Sequence, residues 1–124
     1  MNRPCELPAA PAAIDLAAFQ RLLAGLGSAT ARELVRRLTS DLAGVERGLG
    51  RGFATTDWQV LDAHSHDLIA LAGLVGAQAA QTAATTLNAV ARTHDRAALA
   101  ALRPQVQLHL GGLIAAVANL EQTP

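Results

Sequence analysis

The chain predicts an all-α domain: an antiparallel up-down four-helix bundle with an additional short N-terminal helix. Three observations lead there. Of its 124 residues, 51% are hydrophobic but only 2% are aromatic and none is tyrosine. Such a core has to be built from leucine, alanine and valine, which suits closely packed helices better than a sheet. The apolar residues recur at helical spacing through four long stretches. The joints between those stretches are short, which sets neighbouring helices antiparallel. No stretch alternates with the period of a strand, and no internal repeat is present.

Residues 1–12, with Pro4, Pro8 and Pro11, read as an irregular tail, and 13–121 as one bundle domain. The first helix is expected from about Ile14 to Ala24, with Ile14, Leu16, Phe19, Leu22 and Leu23 as its apolar positions and Gly25 and Gly27 closing it. Ser28 is the expected N-cap of the second, which carries Leu34, Val35, Leu38, Leu42, Val45 and Leu49. Gly48, Gly50 and Gly52 are expected to end it. Thr55 or Thr56 then caps the third, with Asp57 in the first turn, where an anion suits the helix dipole. That helix stops near Gly76. A fourth covers roughly Ala77 to Thr93, and Asp95 caps a fifth that ends near Glu121. Pro104 should kink the fifth or mark a restart.

Charge and cysteine content exclude several classes. Ten acidic and ten basic side chains cancel, whereas a nucleic-acid-binding domain would show a basic face. No segment reaches the ~18 uninterrupted apolar residues of a membrane span. The start, Met1-Asn2-Arg3-Pro4-Cys5, lacks the apolar core of a signal peptide. Cys5 stands alone, so there is no disulfide framework, and a cytoplasmic setting is expected. Met1 and the short tails fit a free-standing protein, and nothing demands more than a monomer.

The informative stretch runs from Ala63 to Ala77, through His64, His66 and Gly76. Each helical residue turns about 100°. With His66 at zero, Leu61, Leu68, Leu71 and Val75 fall on the far side and form a core stripe. Around His66 lie Gln59, Asp62, Ala70 and Gly73, all small or polar, with Ile69 at the flank. His64, two positions earlier, rotates onto the apolar side. One histidine therefore faces out and the other faces the core. A solvated surface histidine with no role is the plain alternative.

His66, Leu68, Gly76 and Ala77 stand at the offsets of a helix motif H-x-L-K-G followed by a small or apolar run and G-A. Ile14-Asp15 opens the first helix, Asp41-Leu42 lies midway in the second, and Asp57 begins the histidine helix. Ala91 to Asp95 stands as a turn into the last. Together these marks, over about residues 13 to 120, resemble the histidine-containing phosphotransfer (HPt) family, the phosphocarrier module of multistep two-component signalling. The resemblance implies that His66 takes a phosphoryl group from an aspartyl phosphate on a receiver domain and returns it to another. The chain would then be a non-catalytic phosphocarrier. Its partners would be the receiver domain of a hybrid histidine kinase and a response regulator. It would hold no cofactor of its own, Mg²⁺ being carried by the receiver. Docking would centre on His66, Ile69, Ala70 and Gly73, joined by Asp62 and Gln59.

Two positions depart from the family pattern. Ile69 replaces its lysine, and Ala70 replaces its glycine. The lysine lies one turn from the histidine, where it attracts the phosphoryl group as a point charge. Counting back along an antiparallel fourth helix brings Thr85 to Asn88 level with His66, with Arg92 one turn further. Arg92 is a candidate substitute cation, and Asn88 a candidate hydrogen-bond donor to the phosphoryl oxygens. Ordinary solvated residues are the alternative for both. A different class of function is a bundle that docks receivers or other signalling proteins without carrying phosphate, which the missing lysine favours.

The remaining constellations are weaker. His94 and His109 stand alone and read as helix-end or packing histidines. His64 and His66 are two apart, and metal-ligand pairs on a helix need three or four, so no metal site is expected. The glycines from Gly44 to Gly52 lack the lysine of a phosphate loop. Arg32, Arg36 and Arg37 read as a solvated face.

Overall fold

In the computed structural model, which describes residues 14–121, every regular element is a helix. The elements are α1 (Ala17–Ala24), α2 (Ser28–Thr55), α3 (Trp58–Val75), α4 (Gln78–Thr93) and α5 (Arg96–Glu121). The tail expected over 1–12, Cys5 included, lies outside the described residues. Among the described residues no helix is long and apolar enough to cross a membrane.

The helices assemble as a bundle around an aliphatic core. α3 packs on α2 and on α4, α5 packs on α4 and on α2, and α1 lies against α2 and α3. Leu38, Leu42 and Leu49 of α2, Leu61 and Leu68 of α3, Leu87 of α4 and Leu113 of α5 are all fully enclosed. Beside Leu87, α4 contributes alanines, with Ala80, Ala83, Ala84 and Ala91 buried. Short side chains on that face let α4 come close to its neighbours, and dispersion contacts then replace side-chain bulk.

The ends of the helices differ from expectation in instructive ways. α1 begins at Ala17 rather than Ile14, where the Asp15 carboxylate accepts a hydrogen bond from the Ala17 N–H at 2.9 Å. Gly27, not Ser28, is the N-cap of α2, at φ 83°, and Ser28 is already helical. Neither Thr55 nor Thr56 caps α3. The Thr55 hydroxyl donates to the Arg51 carbonyl of its own helix at 2.9 Å, while Thr56 terminates α2 in the left-handed region, φ 50°. Asp57 takes the cap, its carboxylate accepting from the Val60 N–H at 3.2 Å. Asp95 caps α5 in the same way, accepting from the Ala98 N–H at 3.0 Å. α5 runs through Pro104 without a restart. The missing proline N–H leaves the Ala100 carbonyl without its helical donor, but both residues are exposed, so water can serve that carbonyl.

The largest difference is in α2, which does not stop at its glycines but continues to Thr55. Gly48 and Gly52 are one turn apart, both are buried, and both face α3. A Cβ at position 48 would overlap the His64 ring, and one at 52 would stand 2.8 Å from the Leu61 side chain. The two glycines are notches that receive α3 side chains. Gly50 points to open space. Each glycine costs about 1 kcal/mol of helix propensity, which burial along this seam offsets. The pairing of 48 with 64 and of 52 with 61 runs α2 and α3 in opposite directions.

Alanine substitution should separate these roles. Gly48→Ala is expected to destabilise the fold by about 1–3 kcal/mol through overpacking. Gly50→Ala is expected to stabilise it by up to about 1 kcal/mol through helix propensity. Urea unfolding followed by circular dichroism measures both. Equal effects at the two positions would contradict the notch.

Candidate functional site

α3 is held at both ends, by the Asp57 cap and by Gly76 at φ 78°, where the N–H of Gly76 returns to the Gly73 carbonyl and that of Ala77 to the Ala72 carbonyl. His66 sits midway along it. Its side is the outward one: His66, Gln59, Ala70 and Gly73 are exposed, with Asp62 and Ile69 half-buried beside them. On the opposite side Leu61, Leu68 and Val75 are buried and Leu71 is half-buried. His64 is half-buried in the notch over Gly48, and its Nδ1 is enclosed without a hydrogen-bond partner. The two histidines therefore occupy different environments: one ring stands in solvent and the other is wedged between helices.

The flank of His66 toward α4 is polar. Gln81, Thr85, Asn88 and Arg92 recur along α4 at helical spacing. The Asn88 amide nitrogen lies 2.6 Å from Asp62 Oδ1, 3.0 Å from Ser65 Oγ and 3.2 Å from the Asp62 carbonyl. Two hydrogens serve three acceptors, so the longest contact is shared. The Ser65 hydroxyl, fully enclosed, donates in turn to the Asp62 carbonyl at 3.0 Å. Further along, the Gln81 amide reaches the Ile69 carbonyl at 3.4 Å and lies over Gly73, where a Cβ would be 2.6 Å from Gln81 Nε2. Pairing 62 with 88 and 69 with 81 makes α3 and α4 antiparallel and places Thr85 level with His66. Thr85 itself is exposed, its hydroxyl turned back to the Gln81 carbonyl.

Arg92 and Asn88, expected close to His66, both meet Asp62, one turn before it. Arg92 Nε is 3.8 Å from Asp62 Oδ1, with the two side chains 68% and 43% exposed. Asn88 turns its donor hydrogens to α3, away from open solvent. Sequence spacing does not single out Ser65 or Gln81. Ser65 lies about 100° round the helix from His66, and only the placement of α4 reveals that this flank is an interface.

Beyond Asp62 the surface opens into a groove between the end of α2, the start of α3 and the end of α4. Thr56, Trp58, Gln59, Asp62, Arg92 and His94 line it. His94 ends α4 in the left-handed region at φ 55° and stacks on Trp58, ring centroids 5.1 Å apart and 5° from parallel. His109 is half-buried elsewhere, beside Asp15 and the start of α4. Arg36 pairs with Glu33 on the surface of α2, and Arg32 and Arg37 are exposed. Among the described residues no three His, Cys, Asp or Glu side chains are placed to hold a metal ion. A scan against protein-family models, a search of curated proteins and a search of solved structures each return no match.

The Asn88 contacts should be measurable in stability. Asn88→Ala leaves Ser65 Oγ without its cross-helix donor and Asp62 with only the longer Arg92 contact, and is expected to cost about 1–2 kcal/mol in chemical unfolding. Thr85→Ala, on the same stripe but with a purely local bond, is expected to stay within about 0.5 kcal/mol of the parent.

Proposed function

We propose that this chain is a phosphorelay intermediate of the HPt type, carrying a phosphoryl group on His66 between receiver-domain aspartates. One observation carries the reading: a lone imidazole, exposed at the middle of α3, with Ala70 and Gly73 at its sides and its neighbour His64 turned into the interior. An imidazole so placed can enter a recessed acidic pocket on another protein, where a bulky neighbour would block it. The helix contacts are compatible with an antiparallel up-down four-helix bundle formed by α2 to α5, with α1 as the additional element. That arrangement is part of the proposal.

The chemistry asked of this chain is small. A neutral imidazole nitrogen is a competent nucleophile near pH 7. Its lone pair attacks phosphorus in line, the acyl-phosphate O–P bond breaks, and the receiver's carboxylate leaves with the bonding electrons. The ring keeps the proton on its other nitrogen, and the reverse step regenerates the neutral ring. Transfer of this kind depends on positioning and on charge stabilisation. Mg²⁺ and the acidic pocket belong to the receiver, so the chain acts as a carrier and not as an enzyme. Gln59, Asp62, Ile69, Ala70 and Gly73 form the docking rim, and Arg92 supplies positive charge on the α4 side. The expected partners are a hybrid kinase's receiver domain and a response regulator, in small transient encounters, with the carrier as a cytoplasmic monomer.

The second reading, docking without transfer, draws on Ile69, an apolar side chain where the family places its lysine. An experiment separates the two. The protein is incubated with phosphorylated receivers, and acid-labile label is followed. Label should appear on the parent and on His64→Gln and fall to background on His66→Gln. Binding of receivers without label on the parent would leave only the docking reading, and loss confined to His64→Gln would mean the acceptor is the other ring.

A further inference from the structure

The α4 flank of His66 holds a carboxylate, a cation and an amide in one connected arrangement. Asp62 is one turn before His66 and about 40° round the helix from it, on the same flank as Ile69. The family's lysine would stand at position 69, about 4.5 Å along the axis in one direction; Asp62 stands about 6 Å away in the other. A carboxylate there, alone, repels a dianionic phosphoryl group. It is not alone. Its Oδ1 accepts from the Asn88 amide at 2.6 Å and faces the Arg92 Nε at 3.8 Å.

Resting on the phosphocarrier reading, we propose that Asp62 is a positioning residue. Held by the Asn88 amide, it draws the Arg92 guanidinium to the position one turn before His66, so that an arginine from α4 stands in for the lysine that α3 lacks. Asp62 touches Arg92 through the Nε edge, which leaves the terminal N–H groups of the guanidinium to meet phosphoryl oxygens. Without the anchor, Arg92 is a long exposed side chain that spends most of its time solvated. Asn88 then has a role other than phosphoryl donor: it fixes the carboxylate that fixes the cation. Hydrolysis of a phosphohistidine passes through a transition state in which the phosphoryl group has lost charge. A cation beside it therefore stabilises the ground state more and lengthens its life.

The test uses the full chain phosphorylated by phosphoramidate, a small donor that needs no receiver. Loss of acid-labile phosphate is then followed for the parent, Arg92→Gln, Asp62→Asn and the double variant. Exposed ion pairs set the scale at about two- to fivefold in lifetime. Arg92→Gln and Asp62→Asn should each shorten the lifetime by that factor. In the Arg92→Gln background, Asp62→Asn should have no effect or lengthen it, since only the repulsion remains to be removed. Arg92→Lys should restore part of the loss, and added salt should shorten the parent lifetime toward that of Arg92→Gln. A merely structural role of Asp62 would shorten lifetimes equally in both backgrounds, and that result overturns the proposal. So does a longer lifetime for Asp62→Asn with Arg92 intact. If the parent takes no label at His66, the phosphocarrier reading itself fails and this inference goes with it. A labelled parent with lifetimes indifferent to Arg92 removes only the inference.

Discussion

The seating of α3 between α2 and α4 sets the rotation of that helix, and the rest of the surface follows from it. On the α2 side two glycines one turn apart receive the His64 ring and the Leu61 side chain. On the α4 side Asn88 and Gln81 engage α3 from across the interface. A turn of α3 by one residue, about 100°, would take His64 out of its notch and Ser65 away from Asn88 at once. Packing on one side and hydrogen bonding on the other therefore agree on a single orientation. The strip left over is the one that carries Gln59, His66, Ala70 and Gly73.

The polar side of this arrangement also sets the axial position of α4. Ser65 is fully enclosed, and an enclosed hydroxyl without partners would cost about 1–3 kcal/mol. It is served at both ends, donating to the Asp62 carbonyl and accepting from Asn88. A slip of α4 by one turn would remove Asn88 from reach and leave the hydroxyl with only its local bond. Aliphatic packing alone tolerates such slips better, because leucine and alanine faces are forgiving. The few polar contacts at this seam give direction to an interface that is otherwise apolar.

Much of this was legible in the chain because leucine and valine spacing reports on faces. The wheel of α3 separated Leu61, Leu68 and Val75 from His66 with no knowledge of neighbours. Helix ends are less legible. Gly48 and Gly52 resemble a helix stop, since the same missing Cβ that frees a backbone also makes room for another helix. What decides between the two is the side chain opposite, here His64 and Leu61, and sequence spacing does not name it. Asp57 reads as a first-turn anion but is the cap, because Thr56 is consumed as the left-handed end of α2. The Asp62–Asn88 contact spans 26 positions. Counting along an antiparallel pair brings Thr85 to the level of His66, but Asn88 sits a turn away, opposite Asp62, and the count says nothing of where its amide points.

The charge around His66 bears on why an arginine from another helix matters to the proposed function. Asp67 follows the histidine directly and is exposed, and Asp62 lies one turn before it. With isoleucine at 69, α3 offers a phosphoryl group no cation of its own near the ring. Two carboxylates at such range act within the Debye length of about 8 Å at physiological salt, so solvent ions do not erase them. A phosphoryl dianion would meet a net negative rim unless one of those carboxylates is neutralised from elsewhere. Arg92 offsets part of that charge at Asp62. Asp67 lies on the other side of His66, about 140° round the helix from Asp62. On the phosphocarrier reading, the replacement of lysine by isoleucine thus changes the helix from which positive charge is supplied, from α3 to α4.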